Sequence, residues 1–472
     1  MGALLVLAPL CAVVLLNLPL GAWPLRLALG LAGALCAAEG AAALLPAAWW
    51  SRPLPFDGLL HAAFPVDDLS RVMFLATSIV GLSAAMVARA TLDSAPLRFR
   101  FANLMLLAVA GLNGVVLTRD LLGLFVFLEI AAVTSFVLIA LEDARAALRA
   151  AFKYLVLSAV ATAMIVTALA LLFMISGSTD FDTVARALRV HRADQLSLAA
   201  VALLLGGLSI KAGLVPFHGW LPGAYSTAPP AVSLLLGGIV TKATGIYALI
   251  RLVETMLGHE GSVAAILLAL GLASIVAGAL GALVQSDLKR MLAWSSISQM
   301  GYVVLGLGAG GAGVAGAAFH LFNHALFASL LFSNAAAVER QSGTRDMSRL
   351  GGIAARMPIT GATSVLAMLS AAGLPPLPGF WSKLIIVVAV WNAGHRAGAV
   401  VAVAASLLTL AYFLSMQRRV FFGPLAQRCT GLREARGWLL WPAVMLAAIM
   451  VAVGLLAPWL FQTFLLPTAR LL

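Results

Sequence analysis

The chain has 472 residues, of which 62% are hydrophobic and 10% charged, and its formal net charge is +12. A soluble domain carries roughly a quarter of its residues as charges, so this composition excludes ordinary soluble enzymes. The positive balance is arginine at a membrane face and implies no nucleic-acid partner, and Cys11, Cys36 and Cys429 are too scattered for a disulfide frame or an iron–sulfur site.

Runs of about twenty apolar residues recur from end to end and predict an all-α polytopic membrane protein. Fourteen spans are expected, at 3–20, 24–46, 67–88, 101–118, 121–141, 152–176, 197–217, 231–253, 262–284, 290–308, 312–337, 359–392 (interrupted), 397–416 and 438–462. The first has no charged leader and no small-residue cleavage site, which predicts a retained helix and not a removed signal peptide. The second carries Glu39, expected to face a neighbouring subunit or to reach water near Trp49 and Trp50. Glu129 falls in the fifth span, Lys211 in the seventh, Lys242 in the eighth, His320 and His324 in the eleventh, and Lys383 in the twelfth.

Lys211, Lys242 and Lys383 are three of only five lysines, and each lies inside an apolar stretch. A charge near the bilayer centre costs roughly 3 kcal/mol or more, so such a residue is a functional candidate by default. Arginine cannot release its proton in a protein, whereas a desolvated lysine can. The chain therefore keeps lysine where a proton could come and go. The arginines fall in connections or near helix ends. Connections after odd-numbered spans hold 18 basic residues, and those after even-numbered spans, with the termini, hold 9; the three intramembrane lysines complete the 30. Positive-inside asymmetry then predicts both termini outside.

The sequence also repeats itself. Ala212-Gly-Leu-Val-Pro-Phe-His-Gly-Trp220 returns as Ala372-Gly-Leu-Pro-Pro-Leu-Pro-Gly-Phe-Trp381, 160 positions on from Gly213 to Gly373. Each break stands within a few residues of an intramembrane lysine. Broken backbone at membrane depth survives only inside protein or beside a wet cavity, and paired breaks in two halves point to an ion or substrate path.

These residues carry a resemblance. Phe127-Leu-Glu129, Ile210-Lys-Ala-Gly-Leu-Val-Pro-Phe-His-Gly-Trp-Leu-Pro222, Thr241-Lys-Ala-Thr-Gly-Ile-Tyr247, Asp287-Leu-Lys-Arg-Met-Leu-Ala-Trp-Ser-Ser-Ile-Ser-Gln-Met-Gly-Tyr302, Phe319-His-Leu-Phe-Asn-His-Ala-Leu-Phe327 and Leu374-Pro-Pro-Leu-Pro-Gly-Phe-Trp-Ser-Lys383 are long, ordered motifs. With them the chain resembles the antiporter-like subunits shared by respiratory complex I, membrane-bound hydrogenases and Mrp-type cation/proton antiporters. The resemblance implies inverted repeats of spans 4–8 and 9–13, with spans 7 and 12 broken. Residues 1–98 would hold the first three helices, 99–256 and 260–420 the repeats, and 421–472 the last helix. It further implies that Glu129 pairs with Lys211 and modulates its proton affinity, that Lys242 connects the halves, that His320 and His324 relay protons, and that Lys383 stands at the mouth of the second half-channel.

Each candidate has a plainer reading. The Glu129 pair could merely hold two helices together, Lys242 could snorkel, and Lys383 could cap a helix end. His320 and His324 share a helix face but lack a third ligand for zinc. Asn103, Asn113 and Asn323 cannot titrate and read as interhelical hydrogen-bond partners. His218 is either a relay after Lys211 or a polar end of the break. One departure stands out: many relatives carry a lysine four residues after the second histidine, where this chain has Ala328-Ser329.

No cofactor is expected on this chain; Gly306 to Gly316 lies between apolar helices and lacks the strand a nucleotide loop needs. Expected partners are other membrane subunits, including further antiporter-like ones, with protons and sodium as candidate ions. The chain resembles the shorter M-, N- or D-type subunits. The spacing of its charged residues and Arg418-Arg-Val-Phe-Phe-Gly423 fit the D-type and hydrogenase-linked members slightly better. Three functions are compatible: a proton-pumping module of a redox-driven quinone oxidoreductase or hydrogenase in the bacterial inner membrane, a cation/proton antiporter subunit without redox chemistry, and a non-conducting scaffold.

Overall fold

A computed structural model describes residues 2–19, 23–50, 65–191, 194–259 and 261–460, and the described residues form helices. The chain opens with α1 (Gly2–Leu16), α2 (Trp23–Ala43), α3 (Asp68–Thr91), α4 (Ala95–Leu117), α5 (Leu121–Ile139) and α6 (Arg145–Ser176). A short amphipathic helix follows, α7 (Phe181–Val190), which buries Phe181, Val184, Ala185 and Leu188 at helical spacing. An interrupted span comes next, α8 (Gln195–Ala212) and α9 (Leu221–Thr227), and then α10 (Pro230–Leu257). The remainder is α11 (Ser262–Leu283), α12 (Leu288–Ala309), α13 (Ala312–Ser342), a second interrupted pair α14 (Pro358–Ala372) and α15 (Pro378–Asn392), α16 (Arg396–Met416) and α17 (Trp441–Leu460).

Among the described residues eleven helices are long and apolar enough to cross a bilayer. Against the fourteen expected spans, α1, α12 and the α14–α15 pair stand at the remaining positions. The most apolar stretches of α10 and α13 are buried along their whole length, whereas only 28% of that of α6 is. The axis of the molecule therefore runs through α10 and α13, and α6 lies at its edge.

Two halves share local geometry. Asp120 caps α5 by accepting from the Gly123 amide at 2.8 Å, and Asp287 caps α12 by accepting from the Arg290 amide at 2.9 Å. Each capping aspartate also forms an isolated backbone bridge to an aspartate beyond the next helix, Asp120 to Asp180 and Asp287 to Asp346. The offsets are 287 − 120 = 167 and 346 − 180 = 166, so α5–α6 corresponds to α12–α13. Five crossings separate the two starts, which places them on opposite faces and makes the repeat inverted. Both interrupted spans break alike. Gly213 ends α8 at φ 68° and Gly373 ends α14 at φ 85°, a left-handed backbone that glycine enters without strain. Val215-Pro216 and Pro375-Pro376 are both cis.

The α10 backbone departs from α-helical geometry in three π turns, Leu236–Val240, Lys242–Tyr247 and Val253–Leu257. Such bulges gather at functional sites because they free backbone groups and re-aim side chains. A Cβ on Gly245 would lie 2.3 Å from the Ala212 Cα, so α8 and α10 touch backbone to backbone between Lys211 and Lys242.

Candidate proton path

Lys211 is carried to the protein interior by α8, where its side chain is 3% exposed. Its ammonium donates to Glu129 Oε1 on α5 at 2.8 Å and to Ser158 Oγ on α6 at 3.3 Å. Thr162, one turn along α6 from Ser158, also donates to Glu129 Oε1, at 2.6 Å. Three helices thus converge on one ion pair. Glu129 itself is 30% exposed, on the edge of the molecule.

Lys242 is fully buried and does not snorkel. Its ammonium donates to Ser296 Oγ on α12 at 2.9 Å and to Thr241 Oγ1 at 3.3 Å, and it lies 5.7 Å from the Tyr225 ring centre. Ser296 Oγ is 3.4 Å from His324 Nε2 on α13, so a hydroxyl links Lys242 to His324. His320, one turn away, meets Ser382 Oγ at 2.9 Å and Gln299 Oε1 at 3.2 Å. Ser382 precedes Lys383 in α15. Lys383 donates to the Ala371 carbonyl at 2.8 Å and sits 4.4 Å over the Tyr302 ring. It does cap the end of α14, as the plainer reading held, and it does so from a buried position.

The repeat register explains the asymmetry. Glu129 shifted by 167 is Ser296, while Tyr154 and Ser158 shifted by 166 are His320 and His324. The first half holds its lysine with a carboxylate on α5 and a hydroxyl on α6. The second half offers Lys242 a hydroxyl on α12 and an imidazole behind it on α13. The buried polar residues lie in the order Glu129, Lys211, Lys242, Ser296, His324, His320, Ser382, Lys383, and no hydrogen bond among the described residues joins Lys211 to Lys242 or His324 to His320.

His218 lies in the 3-10 turn His218–Trp220 of the first break. Its ring meets Trp294 at 5.0 Å, and no hydrogen bond among the described residues joins it to Lys211. Glu39 is 4% exposed, so it is buried inside the chain and not on a surface open to a neighbouring subunit. Asn103 pairs with Asn17 at 2.6 Å, Asn113 with the Leu5 carbonyl and Asn323 with the Pro378 carbonyl, each at 2.9 Å, so all three join helices as expected. Ala328 is buried, and beside it Ser329 Oγ has no hydrogen-bond partner among the described residues.

Sequence reading missed two charged clusters. Lys289, counted with a connection, is 1% exposed; it donates to the Ala228 carbonyl at 2.7 Å and lies 3.6 Å from Glu339. Its signal was the Asp287-Leu-Lys motif, which carried the resemblance without being weighed as a buried charge. The other cluster gathers residues far apart in the chain. Arg251 of α10 donates to both Asp67 carboxylate oxygens, at 2.6 and 2.9 Å, and Arg119 reaches Asp67 at 3.2 Å. Tyr247 joins Arg251 to the Val116 carbonyl. Burial opposes the Asp67 charge, but Arg251 and then Arg119 hold its carboxyl far below the ordinary range.

A many-helix membrane chain with broken spans and a buried carboxylate–lysine–histidine line belongs to the class of membrane ion-translocating subunits. Residues 118–409 match the family model described as NADH:quinone oxidoreductase/Mrp antiporter, transmembrane, and the chain belongs to that family. It is 35% identical to the N subunit of the NADH-quinone oxidoreductase of Desulforudis audaxviator over 84% of this chain and 81% of that one. It is 32% identical to the D-type subunit of the Na(+)/H(+) antiporter of Alkalihalophilus pseudofirmus over 88% of this chain and 83% of that one. Among solved structures, a chain of the Mrp complex from Dietzia sp. superposes with a TM-score of 0.88 at 28% identity, covering 99% and 98% of the two chains. A chain of respiratory complex I from Thermus thermophilus superposes with a TM-score of 0.81 at 29% identity, covering 98% and 99%.

Proposed function

We propose that this chain is a proton-translocating, antiporter-like subunit of a larger membrane complex related to respiratory complex I, and that it moves protons along the line from Glu129 to Lys383. The observation that supports this most is a lysine 3% exposed and 2.8 Å from a carboxylate that is 30% exposed, followed by a second buried lysine whose neighbours are hydroxyls and an imidazole. The Glu129 charge favours the ammonium form of Lys211, and burial favours the neutral amine. Drawing Glu129 away, toward the edge where it is already partly open, tips that balance and sends the proton onward. One pKa unit corresponds to about 1.4 kcal/mol, so a displacement of a few ångström suffices. In this reading the displacement comes from a partner in the same complex. Lys242 receives the proton, and His324, His320 and Lys383 pass it on.

A second reading, a D-type component of a cation/proton antiporter without redox chemistry, is favoured by the relative from the Na(+)/H(+) antiporter and by the overlay on the Mrp chain. The proposed site is the bacterial inner membrane with both termini outside, on the 18-to-9 distribution of basic residues. The test is to purify the complex through a tag on this chain, reconstitute it with a pH-sensitive dye inside the vesicles, and supply in turn an electron donor with quinone and a sodium gradient. Proton movement under the first drive supports the redox reading, and under the second the antiporter reading. A fully assembled complex that moves no protons under either would overturn both.

A further inference from the structure

No carboxylate among the described residues pairs with Lys242, and a tyrosine on another element stands in its place. Tyr225 belongs to α9, the short half of the first interrupted span, and is fully buried. Its hydroxyl lies 2.7 Å from Thr241 Oγ1 and 2.9 Å from the Leu236 carbonyl, both on α10. Thr241 stands between the π turns Leu236–Val240 and Lys242–Tyr247, and its Oγ1 accepts from the Lys242 ammonium at 3.3 Å. The same ammonium is 5.7 Å from the centre of the Tyr225 ring. Ser233 Oγ of α10 donates to the Tyr225 carbonyl at 2.8 Å, and Arg345 donates to that of Ser226, so α9 is held against both.

A hydroxyl has one proton to donate and lone pairs that accept, so two acceptors within reach of Tyr225 give two arrangements. While Lys242 is an ammonium, it donates to Thr241 Oγ1, Thr241 donates to the Tyr225 oxygen, and Tyr225 donates to the Leu236 carbonyl. When Lys242 is a neutral amine, its lone pair accepts from Thr241, and Tyr225 turns to Thr241 Oγ1. The Leu236 carbonyl then loses the tyrosine proton, and Thr241 Oγ1, 3.5 Å away, is too far to replace it. A buried acceptor that loses its donor is costly, so the first arrangement is favoured, and the charged lysine with it. We propose that Tyr225 is a positioning residue for Lys242: through Thr241 it holds the ammonium that no carboxylate holds, and its hydroxyl turns each time the proton arrives or leaves. Only the two hydroxyls reorient, and Tyr225 keeps its own proton. Because Tyr225 lies on the same interrupted span as Lys211, its hydroxyl also joins that span to Lys242. The proposal rests on the reading of Lys242 as a proton carrier.

Proton flux through the assembled, reconstituted complex tests this, with Lys242→Met measured alongside. Tyr225→Phe keeps the ring and removes the hydroxyl, and Thr241→Val keeps the shape and removes the other one. Each should lower flux about tenfold, the weight of one hydrogen bond to a charged group. The double variant should be no slower than either single one, since both cut the same chain. Thr241→Ser, which keeps the hydroxyl and loses a methyl group, should run near the unaltered rate, whereas a packing role would make serine worse than valine. If Tyr225→Phe assembles poorly, the two Thr241 variants carry the test alone. Unchanged flux in an assembled Tyr225→Phe complex while Lys242→Met loses it, losses that multiply in the double variant, or Thr241→Ser as slow as Thr241→Val would each overturn the inference. Undiminished flux with Lys242→Met would instead overturn the transport reading on which it stands.

Discussion

Glu129 and Ser296 hold equivalent positions in the two repeats, and the difference between them sets what each lysine does. In the proposed function a carboxylate 2.8 Å from Lys211 makes that site a switch, on or off with the position of one charge. A hydroxyl 2.9 Å from Lys242 supplies no counter-charge, and in the proposed function Lys242 serves as a relay. Glu129→Gln should cut proton movement about tenfold or more, the effect of one pKa unit at Lys211, and Glu129→Asp should keep part of it. A double-mutant cycle between positions 129 and 211, read as transport rate, should be strongly non-additive; additive losses would mean that the two do not act as a unit. Conversely, Ser296→Glu should give Lys242 the counter-ion it lacks and trap the proton there. Transport unchanged in that variant would remove Lys242 from the path. The line of titratable residues was legible in the sequence, because lysine in an apolar span has few innocent explanations. The hydroxyls and Gln299 between them were not, since serine and glutamine carry no such signal until the fold brings them within hydrogen-bonding distance.

The elements matter because they fix those distances. A Cβ on Gly379 would lie 1.8 Å from the Ser370 carbonyl, so α15 can start against α14 only with glycine there. Gly379→Ala should push α15 outward, carry Ser382 and Lys383 away from His320, and cost about 1–3 kcal/mol as an overpacked contact. Thermal melting and proton flux should fall together. On α13 the path has two imidazoles and no lysine at 328. The His320→Ala, His324→Ala double variant should therefore stop flux, and adding Ala328→Lys should restore part of it, provided water reaches the site. Unimpaired flux in the double variant would route the proton through another helix. The breaks in spans 7 and 12 were readable from proline and glycine, whereas the π turns of α10 were not, because no residue pattern marks an i→i+5 bond.

At the scale of the molecule, a clasp joins parts far apart in sequence. His259, in the loop after α10, bonds Glu254 through Nε2 and meets the Leu307 carbonyl of α12 through Nδ1 at 2.9 Å. Burial pulls the imidazole pKa down, but the bond and charge of Glu254 overrule it and leave it above the ordinary 6.5. A raised folded-state pKa means the extra stability is fully present below about 6.5 and is lost as pH rises through the folded value. Melting temperature should therefore fall with rising pH above neutrality, and His259→Gln should flatten that dependence; an unchanged slope would show that the clasp does not couple to stability. The helical class and both breaks were visible in composition and motif. The Asp67–Arg119–Arg251 cluster was not, because 184 residues separate its ends and only the fold supplies their proximity.

The central claim is that Lys211 carries the translocated proton. Lys211→Met keeps length and apolar packing and removes only the titrating group, and Lys211→Arg keeps the charge but cannot release it. In the assembled complex, reconstituted with its partner subunits and driven as the unaltered complex is, proton flux measured by the internal dye should vanish with methionine and nearly vanish with arginine. Normal flux in a fully assembled Lys211→Met complex would contradict the account.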